Sequence, residues 1–152
     1  MAGGRRDQGR WFAAEAPPAP PTRALVVRAP WAGMLVRGDK TWEIRGAATH
    51  VRGPIAIAQG GTGLIVGTAV LSDCLGPLTM DQYREAWRPR GGGDHPGAPS
   101  PYPLTFAWVM THPSALRMPI PYSHPSGAVI WVKLSEATRS RLTPSDTTEP
   151  PH

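Results

Sequence analysis

The densest grouping of reactive side chains in the chain is Gly38-Asp39-Lys40-Thr41-Trp42-Glu43-Ile44-Arg45. Polar and apolar residues alternate from Thr41 to Arg45, which is the period of a half-buried strand. A strand here places Thr41, Glu43 and Arg45 on one face and Trp42 and Ile44 on the other, with Lys40 at its start. Lysine, glutamate and arginine converging on one point bind phosphate, accept a hydrogen bond from a base amino group, or move a proton. The plainer reading of the same pattern is a solvent face carrying one Glu–Arg pair, which contributes little.

The elements that must position this group are legible on either side of it. Ala24 to Arg28 reads as a short strand, and Pro30 to Arg37 as a two-turn helix with proline at its first position and Gly38 at its stop. Ile55 to Gln59 and Leu64 to Leu71 are apolar and β-branched; Gly60-Gly61-Thr62-Gly63 between them predicts a hairpin. Thr79 to Trp87 reads as a helix with a Thr79–Gln82 capping box, a Leu78–Tyr83 staple, and Met80, Tyr83 and Trp87 on one face. Thr105 to Met110 and Ala128 to Leu134 supply two more strands, and Ser135 suits the cap of a short terminal helix.

Five or six short strands with two or three short helices predict an α+β fold built on a small, partly closed β-barrel. A parallel α/β sheet is disfavoured because the strands are not each followed by a crossover helix. Residues 1–22 read as a basic, Pro-rich disordered tail, residues 23–142 as the domain, and residues 143–152 as a second disordered tail. Residues 88–103 are rich in Gly and Pro and read as a long flexible loop within that domain.

The other side chains capable of chemistry are scattered. His50, His95, His112, His124 and His152 show no metal-ligand spacing, so no metal site is expected. His112 and His124, each followed by proline, read as loop residues. Cys74, the single cysteine, follows an apolar strand and reads as an inert, partly buried thiol. The glycine run at 60–63 lacks the lysine of a phosphate-binding loop, and no G-x-S-x-G is present. Six tryptophans against two phenylalanines suggest base stacking, although Trp42 and Trp131 are expected in the core; Trp31 and Trp108 are the open cases.

Net charge is +5 over 152 residues, and only two of the sixteen basic residues are lysines. Residues 24–134 carry ten Lys and Arg against six Asp and Glu, so the core itself is basic at +4. Arg28, Arg37, Lys40, Arg45 and Arg52 lie close together in sequence as phosphate contacts, a pattern that suits a polyanion. No run of about 18 apolar residues exists, which excludes a membrane-spanning helix. The expectation is a soluble, cytoplasmic monomer that contacts no membrane.

The stretch ALVVRAPWAGMLVRGDKTWEIRG resembles the opening of the activating signal cointegrator homology (ASCH) domains of the PUA-like superfamily. The family pattern is a strand, a helix opened by Pro-Trp, and then G-x-K-x-x-E-x-R, matched here by Gly38, Lys40, Glu43 and Arg45. Later segments follow in family order: RGPIAIA, GLIVGTAVLSDC, FAWV and PIPYSHPSGAVIWVKL. The resemblance implies a β-barrel whose cleft is lined by the Lys40–Glu43–Arg45 segment and which binds RNA or another nucleic acid. Some relatives hydrolyse N4-acetylcytidine through a lysine and a threonine of this motif, and ribonuclease activity is described for others. Lys40 matches that lysine, whereas Glu43 occupies the threonine's position and Thr41 points differently on a strand.

Two functions lead, ahead of a blander third in which a regulatory protein uses the cleft for a small metabolite or only its Pro-rich loops for a protein partner. The first is binding of single-stranded RNA or a flipped or modified nucleotide, with Arg28, Lys40, Thr41, Glu43 and Arg45 contacting phosphate or base and Trp31 or Trp108 stacking. The second is hydrolysis of a modified nucleoside or RNA by Lys40 and Glu43. Neither requires a cofactor.

Overall fold

The computed structural model describes residues 19–85, 102–128 and 130–142. The elements are β1 (Arg23–Val27), α1 (Trp31–Arg37), β2 (Trp42–Arg45), β3 (Gly53–Gln59), β4 (Leu64–Leu75), α2 (Met80–Glu85), β5 (Phe106–Pro121), β6 (Trp131–Lys133) and α3 (Glu136–Arg141). The six strands form one curled sheet in the order β2-β5-β4-β3-β1-β6, a half-barrel with three short helices. The α+β barrel expectation is met. One pair, β1 with β3, is parallel, and every other pairing is antiparallel.

Side-chain size alternates along the central strands and sorts the core onto two faces. In β3, Ile55 and Ile57 join Leu25, Val27, Leu71 and Met110 beneath Ala32, Leu35 and Val36 of α1. Ala56 and Ala58 face the other way, among Ile65, Leu116, Ile120, Leu134 and Leu142. Each fully buried Leu or Ile contributes about 1.5–3 kcal/mol, so α1 is held firmly against this face of the sheet. Trp42 and Ile44 of β2 pack with Tyr83 of α2 in a third cluster. That packing turns the other face of β2, with Glu43 and Arg45, towards the interior of the curl.

Several boundaries differ from the sequence reading. Pro30 sits at the N-cap of α1 rather than at the first helical position. β5 runs to Pro121 instead of stopping at Met110, so His112 lies within a strand and not in a loop. The strand accommodates its prolines at irregularities: His112 and Pro113 fall together between the Val70–Thr111 and Thr68–Ser114 pairs, and His112 adopts φ 52°. β6 is shorter than Ala128 to Leu134. In α2 only Tyr83 is buried; Met80 is 46% exposed, and Trp87 lies outside the described residues.

The local signals hold where they rest on hydrogen bonds. Thr79 N–H donates to Gln82 Oε1 at 2.8 Å and Gln82 N–H to Thr79 Oγ1 at 3.2 Å, the reciprocal pattern of a capping box. Thr138 N–H donates to Ser135 Oγ at the start of α3. Most of the tail at 1–22, all of that at 143–152 and most of the loop at 88–103 lie outside the described residues. Arg139 of α3 donates to the carbonyls of Pro20 and Pro21. Among the described residues, no helix is long and apolar enough to cross a membrane.

Candidate functional site

The site is built at the step from α1 to β2. Gly38 ends the helix in the left-handed conformation (φ 83°), a position where a side chain is strained. The reversal lets Asp39 N–H and Lys40 N–H both donate to Met34 O, at 2.9 and 3.2 Å. Lys40 is thereby tied to the last turn of α1, and the Thr41 carbonyl accepts from Met110 N–H of β5 at 2.7 Å.

Lys40 and Glu43 are buried, at 3% and 6% exposure, so the solvent-face reading of this strand does not hold. Lys40 Nζ donates to Glu43 Oε1 at 2.8 Å, and Arg45 Nε donates to Glu43 Oε2 at 2.9 Å. One carboxylate thus holds two cations, leaving the group at +1. Arg45 Nη2 donates to Val26 O at 2.9 Å, bridging β2 to β1, its distant neighbour in the strand order. Desolvating three charges costs several kcal/mol per ion, and such groups are weak contributors to stability.

The aromatic residues extend the group on both sides. Trp31, half-buried on α1, has Lys40 Nζ 5.5 Å and the Arg28 guanidinium 5.1 Å from its ring centroid. Arg28 is exposed and has no acidic partner among the described residues. Trp108 is opposite Glu43 in the β2–β5 register, with the Arg45 guanidinium 5.6 Å from its ring. It is only 3% exposed, its Nε1 donates to Ala47 O at 2.9 Å, and it stacks on Trp131 with centroids 5.9 Å apart. Trp108 therefore backs Arg45, whereas Trp31 is only partly buried, resting on the core with Arg28 and Lys40 over its ring.

The structure thus brings together Arg28, Trp31, Lys40, Glu43, Arg45 and Trp108, with Thr41 half-buried on the Glu43 face of the segment. Of the other basic residues proposed from sequence, Arg37 pairs with Asp39 at 3.1 Å and Arg52 approaches Asp73 at 4.0 Å, both on the surface. Sequence reasoning missed the Val26 and Ala47 carbonyls and the part played by Trp131. No local signal marks them, because each contact joins segments far apart in the chain.

His124 is held by contacts within its own segment. His124 Nε2 donates to Ala128 O at 2.7 Å, so its Nδ1 is left to accept from the Tyr122 hydroxyl at 2.8 Å. Burial raises the Tyr122 phenol above its ordinary pKa and keeps that proton in place. His124 fastens its own loop. Among the described residues no three His, Cys, Asp or Glu side chains gather as a metal site would require.

Comparison with known proteins is consistent with this architecture. The ASCH domain family matches residues 25–120. The fold is similar to that of the ASCH protein from Zymomonas mobilis, at 18% identity and TM-score 0.51, over 84% of this chain and 96% of that one. Two single-residue variants of the same protein align at 18% and 17% identity with TM-scores of 0.50 and 0.52. They cover 83% and 85% of this chain, and 98% and 99% of theirs. Comparison with curated proteins gives no match. With the family matched over most of its length, and the strand, helix and G-x-K-x-x-E-x-R segment in place, the chain belongs to the ASCH domain family.

Proposed function

We propose that this chain is a cytoplasmic, monomeric nucleic-acid-binding module whose cleft takes single-stranded RNA or a flipped or modified nucleotide. One observation carries the reading: a buried Lys40–Glu43–Arg45 group lies beside a partly exposed indole flanked by Arg28, which has no acidic partner among the described residues. Fixed cations next to an accessible aromatic face match the two parts of a nucleotide, its phosphate and its base. Arg28 contacts phosphate, Trp31 stacks, and Lys40 and Arg45 donate to phosphate or base acceptors. Glu43 orients both cations and keeps lone pairs for a base amino group. The basic core favours the encounter.

The 2.8 Å Lys40–Glu43 contact also favours a second reading, hydrolysis of a modified nucleoside or RNA with these two residues moving the proton. Glu43→Gln separates the two: a binder keeps its ligand with altered selectivity, and an enzyme keeps binding while turnover is lost.

The primary test is a tryptophan-fluorescence titration with short single-stranded RNA and DNA at two salt concentrations. Salt-sensitive binding is expected, weakened about tenfold in Arg28→Ala. Absence of binding by either polymer at low salt overturns the reading.

A further inference from the structure

The open side of the half-barrel carries a second cluster of positive charge that the Lys40–Glu43–Arg45 group does not use. Arg23 on β1 and Lys133 on β6 are direct cross-strand partners. Both are exposed, and neither has an acidic partner among the described residues. Like charges directly opposite one another destabilise an antiparallel pair. The fold thus keeps an arrangement that costs stability unless an anion lies against it.

The cluster is joined to the cleft. The Arg23 guanidinium is 5.6 Å from the Trp131 ring centroid, Trp131 stacks on Trp108, and Trp108 lies against Arg45. Guanidinium and indole groups are therefore continuous from Arg45 to Arg23. Lys133 also lines a hollow of about 400 Å³ with Pro121, Tyr122, Ser123, Leu134, Ser135 and Thr138; Ser135 Oγ is committed to the α3 cap, and the Ser123 hydroxyl suits a phosphate oxygen.

The length of β1 sets the size of the ligand. Arg23 opens β1 and Arg28 lies one residue beyond its end, so their backbones stand about 16 Å apart at a rise of about 3.3 Å per residue. A mononucleotide does not span that distance. A single strand with bases stacked about 3.4 Å apart covers it with about five nucleotides.

We propose, resting on the nucleic-acid reading above, that the ligand is a single-stranded polynucleotide of about five nucleotides or more. Its backbone runs from Arg28 past Trp31 to the Arg23–Lys133 edge, where a second phosphate is held. The chemistry at that edge is phosphate recognition, and chain length distinguishes a polynucleotide from free phosphate.

The test compares wild type, Arg23→Ala/Lys133→Ala and Arg28→Ala against a mononucleotide, a trimer and a twelve-nucleotide single-stranded RNA, with inorganic phosphate as competitor. Wild-type affinity is expected to rise steeply between the trimer and the twelve-mer. The double variant loses about tenfold for the twelve-mer, and its slope of log affinity against log salt falls by about 1.4. Its mononucleotide binding stays unchanged, and its melting temperature is equal to or above wild type, because the repulsion is gone. A double variant that binds the twelve-mer like wild type, while Arg28→Ala is impaired, overturns the extended track and leaves the cleft reading intact. Release of the twelve-mer by low inorganic phosphate with no dependence on chain length also overturns it. A wild type that binds none of the RNAs overturns both.

Discussion

Two arginine–carboxylate pairs, each spanning two residues of sequence, occupy the same stretch of chain in different surroundings. Arg37 and Asp39 meet at 3.1 Å with side chains 56% and 57% exposed. Arg45 and Glu43 meet at 2.9 Å at 17% and 9%. The distances are alike, so the difference lies in what water does. At the surface it screens the pair and competes for every hydrogen bond, leaving an interaction of at most about 1 kcal/mol. In the interior neither partner can be removed without leaving a desolvated charge behind. Charge pattern in a sequence therefore says little about energetics until burial is known. Here burial follows from Trp42 and Ile44 packing against Tyr83 and so turning Glu43 inward.

The largest test of this contrast is Lys40→Ala, which leaves Glu43 one cation short in the interior. It is expected to destabilise the fold by about 3–5 kcal/mol in urea unfolding. A loss below about 1 kcal/mol would mean that water reaches the group freely. Gly38→Ala comes next, at about 1–2 kcal/mol, because a side chain is strained at φ 83° and its Cβ would lie 3.2 Å from the Pro113 ring. Thermal melting measures it, and any drop in RNA affinity beyond the effect on stability reports displacement of Lys40. Arg28→Ala should leave melting unchanged within about 0.5 kcal/mol while lowering RNA affinity about tenfold, since an exposed cation acts on the ligand and not on the fold. Asp39→Ala is the smallest, at about 0.5 kcal/mol or less in stability. Its RNA affinity stays at or slightly above wild type, because a surface negative charge has been removed.

The parts of this site visible in the sequence are those set by neighbouring residues. Gly38 as a helix stop, a strand ending at Arg45, the hairpin at Gly60–Gly63 and the capping box at Thr79 depend on local geometry, and all are present, although the strand begins at Trp42 and buries Glu43 as well as Ile44. The parts not visible depend on chain closure. The passage of β5 through Pro113 and Pro119 needs irregular register against β4, and the β1–β3 parallel pair spans α1 and β2. The burial of Trp108 follows from β6 bringing Trp131 across the open side, and the anchoring of Arg45 from the approach of β1 to β2. Nothing within a few residues of Trp108 or Arg45 encodes those partners. Sequence thus identified which side chains carry charge, and the curl of the sheet decided which of them were buried together.

Buried charges that serve a ligand and buried charges that serve the fold are separated by one variant. Lys40→Met/Glu43→Leu/Arg45→Met removes all three charges together, so no orphan remains, and replacing buried ions by apolar residues of similar size is close to neutral or stabilising. The account expects a folded protein, with a circular dichroism spectrum and melting temperature like wild type or better, that no longer binds single-stranded RNA in a fluorescence titration at low salt. A folded triple variant that binds RNA as tightly as wild type would contradict it.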